Sequence, residues 1–168
     1  VDYALSGLSH FVMAKGLENE RLAISKAYMK ALDMTSERET KAFILRQLQM
    51  IGKDECIEKI AGYLHDKELS GPAARVLCAI SSEASGNALI AALKQRMGTP
   101  ETQKNVIMAI AEAEVKGAED ILRSMLGSSD PDMQRVVLYA LSQVGSEASL
   151  KDLATAAAAA NYQMERTS

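Results

Sequence analysis

Two sets of paired apolar residues run through this chain in lockstep, and their common step restricts it to a repeating helical architecture. Leu48/Ile51, Leu77/Ile80, Ile110/Ala113 and Leu141/Val144 form one set; Ile60/Leu64, Leu89/Leu93, Leu122/Leu126 and Leu153/Ala157 form the other. Both advance by 29, then 33, then 31 residues. An i, i+3 or i, i+4 pair puts two side chains on one helical face, so each period holds two amphipathic helices at a fixed separation. A unit of that kind buries its apolar face only against its neighbours. The expected fold is all-α: a right-handed α-solenoid of about five antiparallel helical hairpins, near 1–33, 36–65, 70–95, 99–126 and 130–160, forming one domain over 1–168.

Composition agrees with helices. Apolar residues make up 48% of the 168 positions, enough for a core, while aromatics make up 4% and tryptophan is absent. Ala, Leu, Met, Glu, Lys and Gln dominate over the β-branched and aromatic types that strands favour. The net charge of −3 is spread along the chain. Phosphate binding calls for a basic footprint that this pattern lacks, so no nucleic-acid partner is expected. No apolar run approaches the length of a bilayer span, so no membrane insertion is expected. The chain opens at Val1 and enters a helical pattern at once, which suggests an excised piece of a longer protein or a processed product.

Punctuation marks the helix starts. Ser36-Glu37-Arg38-Glu39 has the spacing of a capping box, which predicts a helix from there to about Ile51 with Gly52 as its stop, and a second helix from Lys53-Asp54 to about Leu64. Pro72, Pro100 and Pro131 suit first helical positions and predict helices over about 72–80, 100–113 and 131–144, with partners over 84–95, 117–126 and 147–160. Gly145 occupies the slot of Gly52, with Ser81 and Glu114 between them in register, so glycine is favoured there but not required. The first hairpin departs from the period: Leu5/Leu8 precedes Leu48/Ile51 by 43 residues, but Tyr28/Leu32 precedes Ile60/Leu64 by 32. The eleven-residue excess is assigned to a long first loop around 15–20.

The stretches from Pro72 to Ile80 and from Gln134 to Gly145, each followed by a second helix closing on paired Leu or Ala, resemble the HEAT-like repeats of bacterial proteins, including the short phycobilisome-lyase type. That resemblance implies a helical repeat scaffold. A weaker one, over Lys41 to Glu55, links the chain to helical segments beside bacterial 3-keto-disaccharide hydrolase-like domains. It implies a larger, exported or periplasmic carbohydrate-processing protein.

Chemistry is sparse. His10 and His65 are the only histidines, Cys56 and Cys78 the only cysteines, and no nucleophile elbow, phosphate loop or zinc helix occurs. No catalytic, cofactor or metal site is assigned. Both cysteines lie in apolar helical pattern and are expected as buried free thiols, with a disulfide the alternative. His65 suits a helix C-terminus, and nine residues separate it from Cys56. The pairs Glu18/Glu20, Glu112/Glu114 and Asp130/Asp132 fall in loops or at helix ends, where carboxylates serve caps and the helix dipole.

The remaining candidate is a surface. Stacked hairpins align their second helices into a wall, expected to be concave, on which Glu58, Asn87, Asp120 and Lys151 share one register and Tyr63 begins another with Ala92, Met125 and Ala156. The expected function is a non-enzymatic protein-interaction or scaffold module whose partner is a protein or a neighbouring domain; a solvated face with no ligand is the bland reading. The alternative is an accessory segment of a carbohydrate-processing enzyme or a bilin-lyase-like enzyme. Five alanines at 156–160 suggest a longer chain whose continuation packs on this small-residue face, with end-to-end association through it possible, or else a helix-forming tail.

Overall fold

The computed structural model describes residues 2–159. Ten α-helices follow one another: α1 Asp2–Phe11, α2 Glu18–Met34, α3 Arg38–Ile51, α4 Ile57–Ala61, α5 Ser70–Ile80, α6 Glu83–Gln95, α7 Pro100–Glu112, α8 Glu119–Ser124, α9 Pro131–Val144 and α10 Glu147–Ala159. Short 3₁₀ turns, Asp54–Cys56 and Lys116–Ala118, lead into α4 and α8. No strand occurs among the described residues. The molecule is an α-solenoid in two layers. Odd-numbered helices pack side by side, α3 on α5, α5 on α7 and α7 on α9, and the even-numbered helices form the other layer with slighter contact among themselves.

Both apolar series face the seam between the layers. Leu48, Leu77, Ile110 and Leu141 are buried from one side, and Ile60, Leu89 and Leu122 from the other. At about 25 cal/mol per Å² of apolar surface withdrawn from water, this seam is the main source of stability. A third row lies beside them. Cys56, Ser85, Ala118 and Ser149 share the same register and are buried small residues at the start of each second helix, where the chain turns back tightly. Cys56 is thus a small packing residue, its thiol 3.0 Å from Ser25 Oγ.

Several local expectations are corrected. The box at Ser36 and Glu39 does not form: α3 starts at Arg38 with Glu37 before it, leaving Ser36 too far upstream to reach the free amides. Reciprocal hydroxyl boxes form instead at Ser82/Ser85 and Thr99/Thr102. α5 opens at Ser70, because Asp66 accepts from the amides of Glu68 and Leu69 and winds the chain two residues before Pro72. Pro72 still lies in the first turn, where its missing N–H has no partner to lose. The second helix of the second hairpin is split: past Ala61 the amides of Tyr63 and Leu64 bond three residues back, tightening the turn. The first loop spans only 12–17, and the extra residues lengthen the two helices, making α2 the longest described.

Candidate protein-interaction face

The second-helix layer is held laterally by polar bridges. Lys59 of α4 pairs with Asp33 of α2, and Arg123 of α8 with Asp152 of α10 at 2.8 Å. His65 Nε2 lies 3.1 Å from Gln95 Oε1, which carries a link from the end of α4 to α6. The Asp33 carboxylate raises the Lys59 pKa, and Asp152 raises that of Arg123. Both pairs sit toward solvent, where screening leaves an ion pair little net effect on stability. Their service is to fix spacing between helices that share little apolar contact.

Against that background one row stands apart. Glu58, Asn87, Asp120 and Lys151 are all exposed, each near the start of its second helix. None of the four side chains forms a hydrogen bond or ion pair among the described residues, whereas Lys59, Arg123 and Asp152, next to three of them in sequence or one turn away, are engaged. One turn further on, in the same register, stand Gly62, Ala91, Ser124 and Thr155, all exposed and all small. This second row was legible in the sequence as a small residue four places after each polar one. Together the rows make a strip of separated polar groups beside low relief, a shape that lets a partner's backbone come close.

Tyr63 is placed elsewhere. It is half-buried against the core, with Lys41 Nζ of α3 5.2 Å from its ring centroid. Its row-mates Ala92, Met125 and Ala156 are likewise buried or half-buried, so this row belongs to packing between the layers. The other chemistry-bearing residues have structural partners. Cys56 and Cys78 are free thiols; Cys56 is buried, while Cys78 is only half-buried, 3.8 Å from Glu112 Oε2. Burial raises both thiol pKa values, and at Cys78 the Glu112 carboxylate adds to the rise. A raised pKa leaves less thiolate, the reactive form. Asp130 caps α9 by accepting from the Asp132 amide at 2.9 Å, and Glu18 accepts from the Gly16 amide.

No group of His, Cys, Asp and Glu suited to a metal ion occurs among the described residues, and no described helix is long and apolar enough to cross a membrane. A cleft of about 830 Å³ opens between α1, α2 and α3 and is lined mainly by Leu5, Ala27, Ala31, Ala42 and Phe43. It gathers no convergent set of acid, base and nucleophile.

Residues 86–168 match the family model for HEAT repeats, from within α6 through both later hairpins. The chain is a HEAT-like helical repeat protein. No curated protein and no solved structure matches it. HEAT repeats commonly mediate protein–protein interaction as scaffolds and are typically non-enzymatic.

Proposed function

We propose that this HEAT-like chain is a non-enzymatic scaffold that docks a protein partner, or a neighbouring domain of its own polypeptide, along the second-helix face through Glu58, Asn87, Asp120 and Lys151. The observation that carries the reading is a contrast on that face: Lys59, Arg123 and Asp152 are tied to neighbouring helices, whereas the side chains of the row form no hydrogen bond or ion pair and are flanked by small residues. Two carboxylates, one amide and one ammonium, a hairpin apart, offer alternating recognition points to an extended or helical segment. The solenoid holds them in register before binding, which limits the ordering entropy lost on association. Tyr63 contributes by fixing the end of α4 against Lys41.

The test is site-specific photo-crosslinking in the cell of origin. A crosslinker at Asn87 is expected to trap a discrete partner, one at Arg75 on the first-helix layer is not, and the Glu58→Arg, Asp120→Arg, Lys151→Glu triple variant is expected to abolish the Asn87 adduct while keeping its helical circular dichroism. Undiminished adduct in the triple variant rejects this face.

A further inference from the structure

The joint between the third and fourth hairpins differs from its neighbours in the second-helix layer. Polar bridges cross the others: Lys59 of α4 reaches Asp33 of α2, His65 meets Gln95 between α4 and α6, and Arg123 meets Asp152 between α8 and α10. No hydrogen bond or ion pair joins α6 to α8 among the described residues. Arg123 and Asp152 have Ile90 and Ile121 as their register mates at this joint. An apolar pair thus stands where the next joint places charges.

A cleft of about 400 Å³ opens beside that pair, where α6 and α8 end and α7 and α9 begin. Leu93, Ile121, Met125 and Met133 give it an apolar floor. Three of the four are enlarged relative to the joint before: Ile121, Met125 and Met133 stand in register with Ala88, Ala92 and Thr102. Ala156 holds the Met125 position in the last hairpin; it opens the alanine run, whose last member, Ala160, lies outside the described residues. Methionine is unbranched and polarizable, so it moulds to what enters. The loop at the rim is set beforehand. Gln134 Nε2 donates to the Ser128 carbonyl at 2.6 Å, and the Asp130 amide donates to Ser128 Oγ at 3.2 Å.

Two charged groups line the cleft. The Asp130 carboxylate is occupied in capping α9, where it accepts from the Asp132 amide. Arg96 is exposed and ends α6 in a left-handed conformation at φ 50°, and its guanidinium forms no hydrogen bond or ion pair among the described residues. Ser124 lines the cleft and also belongs to the row of small residues on the docking strip, so the opening lies at the edge of that strip. An apolar floor with one uncommitted cation at its rim is complementary to an apolar group that has a negative charge beside it.

We infer that this cleft seats an apolar side chain of the docked partner, aromatic or long aliphatic, with an acidic residue next to it that pairs with Arg96. The inference rests on the docking role proposed above and names the anchor of that contact. Binding energy at interfaces concentrates in a few side chains buried in pockets of this kind, and a charged rim adds orientation.

Methionine-methyl NMR of the full chain, titrated with short blocked peptides, tests the cleft. Acetyl-Asp-Phe-amide is expected to shift the Met125 and Met133 methyls, acetyl-Lys-Phe-amide to bind about tenfold more weakly, and acetyl-Asp-Ala-amide to shift neither. Arg96→Glu is expected to reverse the order of the two phenylalanine peptides; Arg96 is exposed, so the fold is retained. Unmoved methyls, equal binding of the lysine peptide or an equal response to the alanine peptide overturns the inference. The partner gives the second readout. Arg96→Glu is expected to cut the Asn87 crosslink about tenfold, while Lys94→Glu, the same charge change two residues away on α6, leaves it unchanged. A crosslink undiminished by Arg96→Glu overturns the anchor and leaves the docking face standing. Absence of any Asn87 crosslink in the wild type rejects the docking face, and the anchor with it.

Discussion

The joints at 52 and 145 occupy the same slot of the repeat as those at 81 and 114, yet they turn the chain by different means. At Gly52 and Gly145 the backbone is extended, with φ of −67° at both, while Ser81 and Glu114 each adopt a left-handed conformation at φ 50°. The usual association of glycine with the left-handed turn is inverted here. Glycine is needed at 52 and 145 for space: a Cβ would stand 2.6 Å from the Leu48 carbonyl oxygen at one, and 2.4 Å from that of Leu141 and 2.9 Å from Ser149 Cβ at the other. The inner joints end their helices by a left-handed cap, completed after Glu114 by the Val115 amide bonding back to the Ile110 carbonyl.

The two kinds of joint are also secured differently. Each glycine joint is tied to the preceding hairpin through a carboxylate. Arg21 of α2 donates to the Ile51 carbonyl at 2.7 Å and to Glu55 Oε1 at 2.6 Å. Glu119 accepts from the Ser146 amide and hydroxyl at 3.0 Å and from the Ser149 hydroxyl at 2.6 Å. By contrast Ser81 is followed by a neutral local box, Ser82 with Ser85. One slot thus admits two solutions, one relying on space and cross-hairpin charge, the other on local backbone geometry.

The sharpest way to break the comparison is to add a methyl group at the glycines. Gly145→Ala and Gly52→Ala are expected to lower unfolding free energy by about 1–3 kcal/mol in urea titrations, with 145 the worse, because backbone atoms must move. A neutral result would mean the extended joints have room. Conversely, Ser81→Gly and Glu114→Gly are expected to stabilise by about 0.5–1 kcal/mol, since relief of left-handed strain exceeds the entropy that glycine adds to the unfolded chain. Destabilisation at both would show that the side chains there matter more than the backbone.

The smallest effect separates the joints by pH. The three hydrogen bonds from Ser149 and Ser146 hold Glu119 below the ordinary value of 4.5. At Glu55 burial pushes upward, but the hydrogen bonds from Arg21, the backbone and Ser25, with the Arg21 charge, together outweigh it and the net shift is also down. A depressed folded-state pKa contributes stability that is full above about pH 4.5 and is lost as pH falls through the folded value. Glu119→Gln is therefore expected to be less stable than wild type at neutral pH, with the gap in urea midpoint narrowing below about pH 4.5. A gap constant from pH 7 to pH 3 would sink the assigned role of that carboxylate.

These joints show how far the sequence could be read. Gly52 and Gly145 were visible as stops, and Ser81 and Glu114 as their register mates, because position in a repeat is a one-dimensional property. Which of them needed glycine, and for what, depended on the distance to Leu48 O or to Ser149 Cβ, atoms brought near only by the return of the next helix. The same holds for the candidate face. Exposure of Glu58, Asn87, Asp120 and Lys151 followed from helical period and register, and so could that of Gly62, Ala91, Ser124 and Thr155. Their freedom from partners did not, because the bonds that engage Lys59 and Arg123 but spare this row run between hairpins 26 and 29 residues apart. Tyr63, expected on the same wall, lies half-buried for a related reason: the helix tightens past Ala61, and Lys41 arrives from another helix over the ring.

By itself the amino-acid sequence determined that this protein is a stack of helical hairpins, because apolar pairs repeating at 29, 33 and 31 residues have no burial open to them except against one another. Only the tertiary structure decided how each hairpin turns, which polar groups are consumed in lateral bridges and which apolar side chains line an open cleft between hairpins. Those outcomes rest on distances of a few ångströms between residues far apart in the chain.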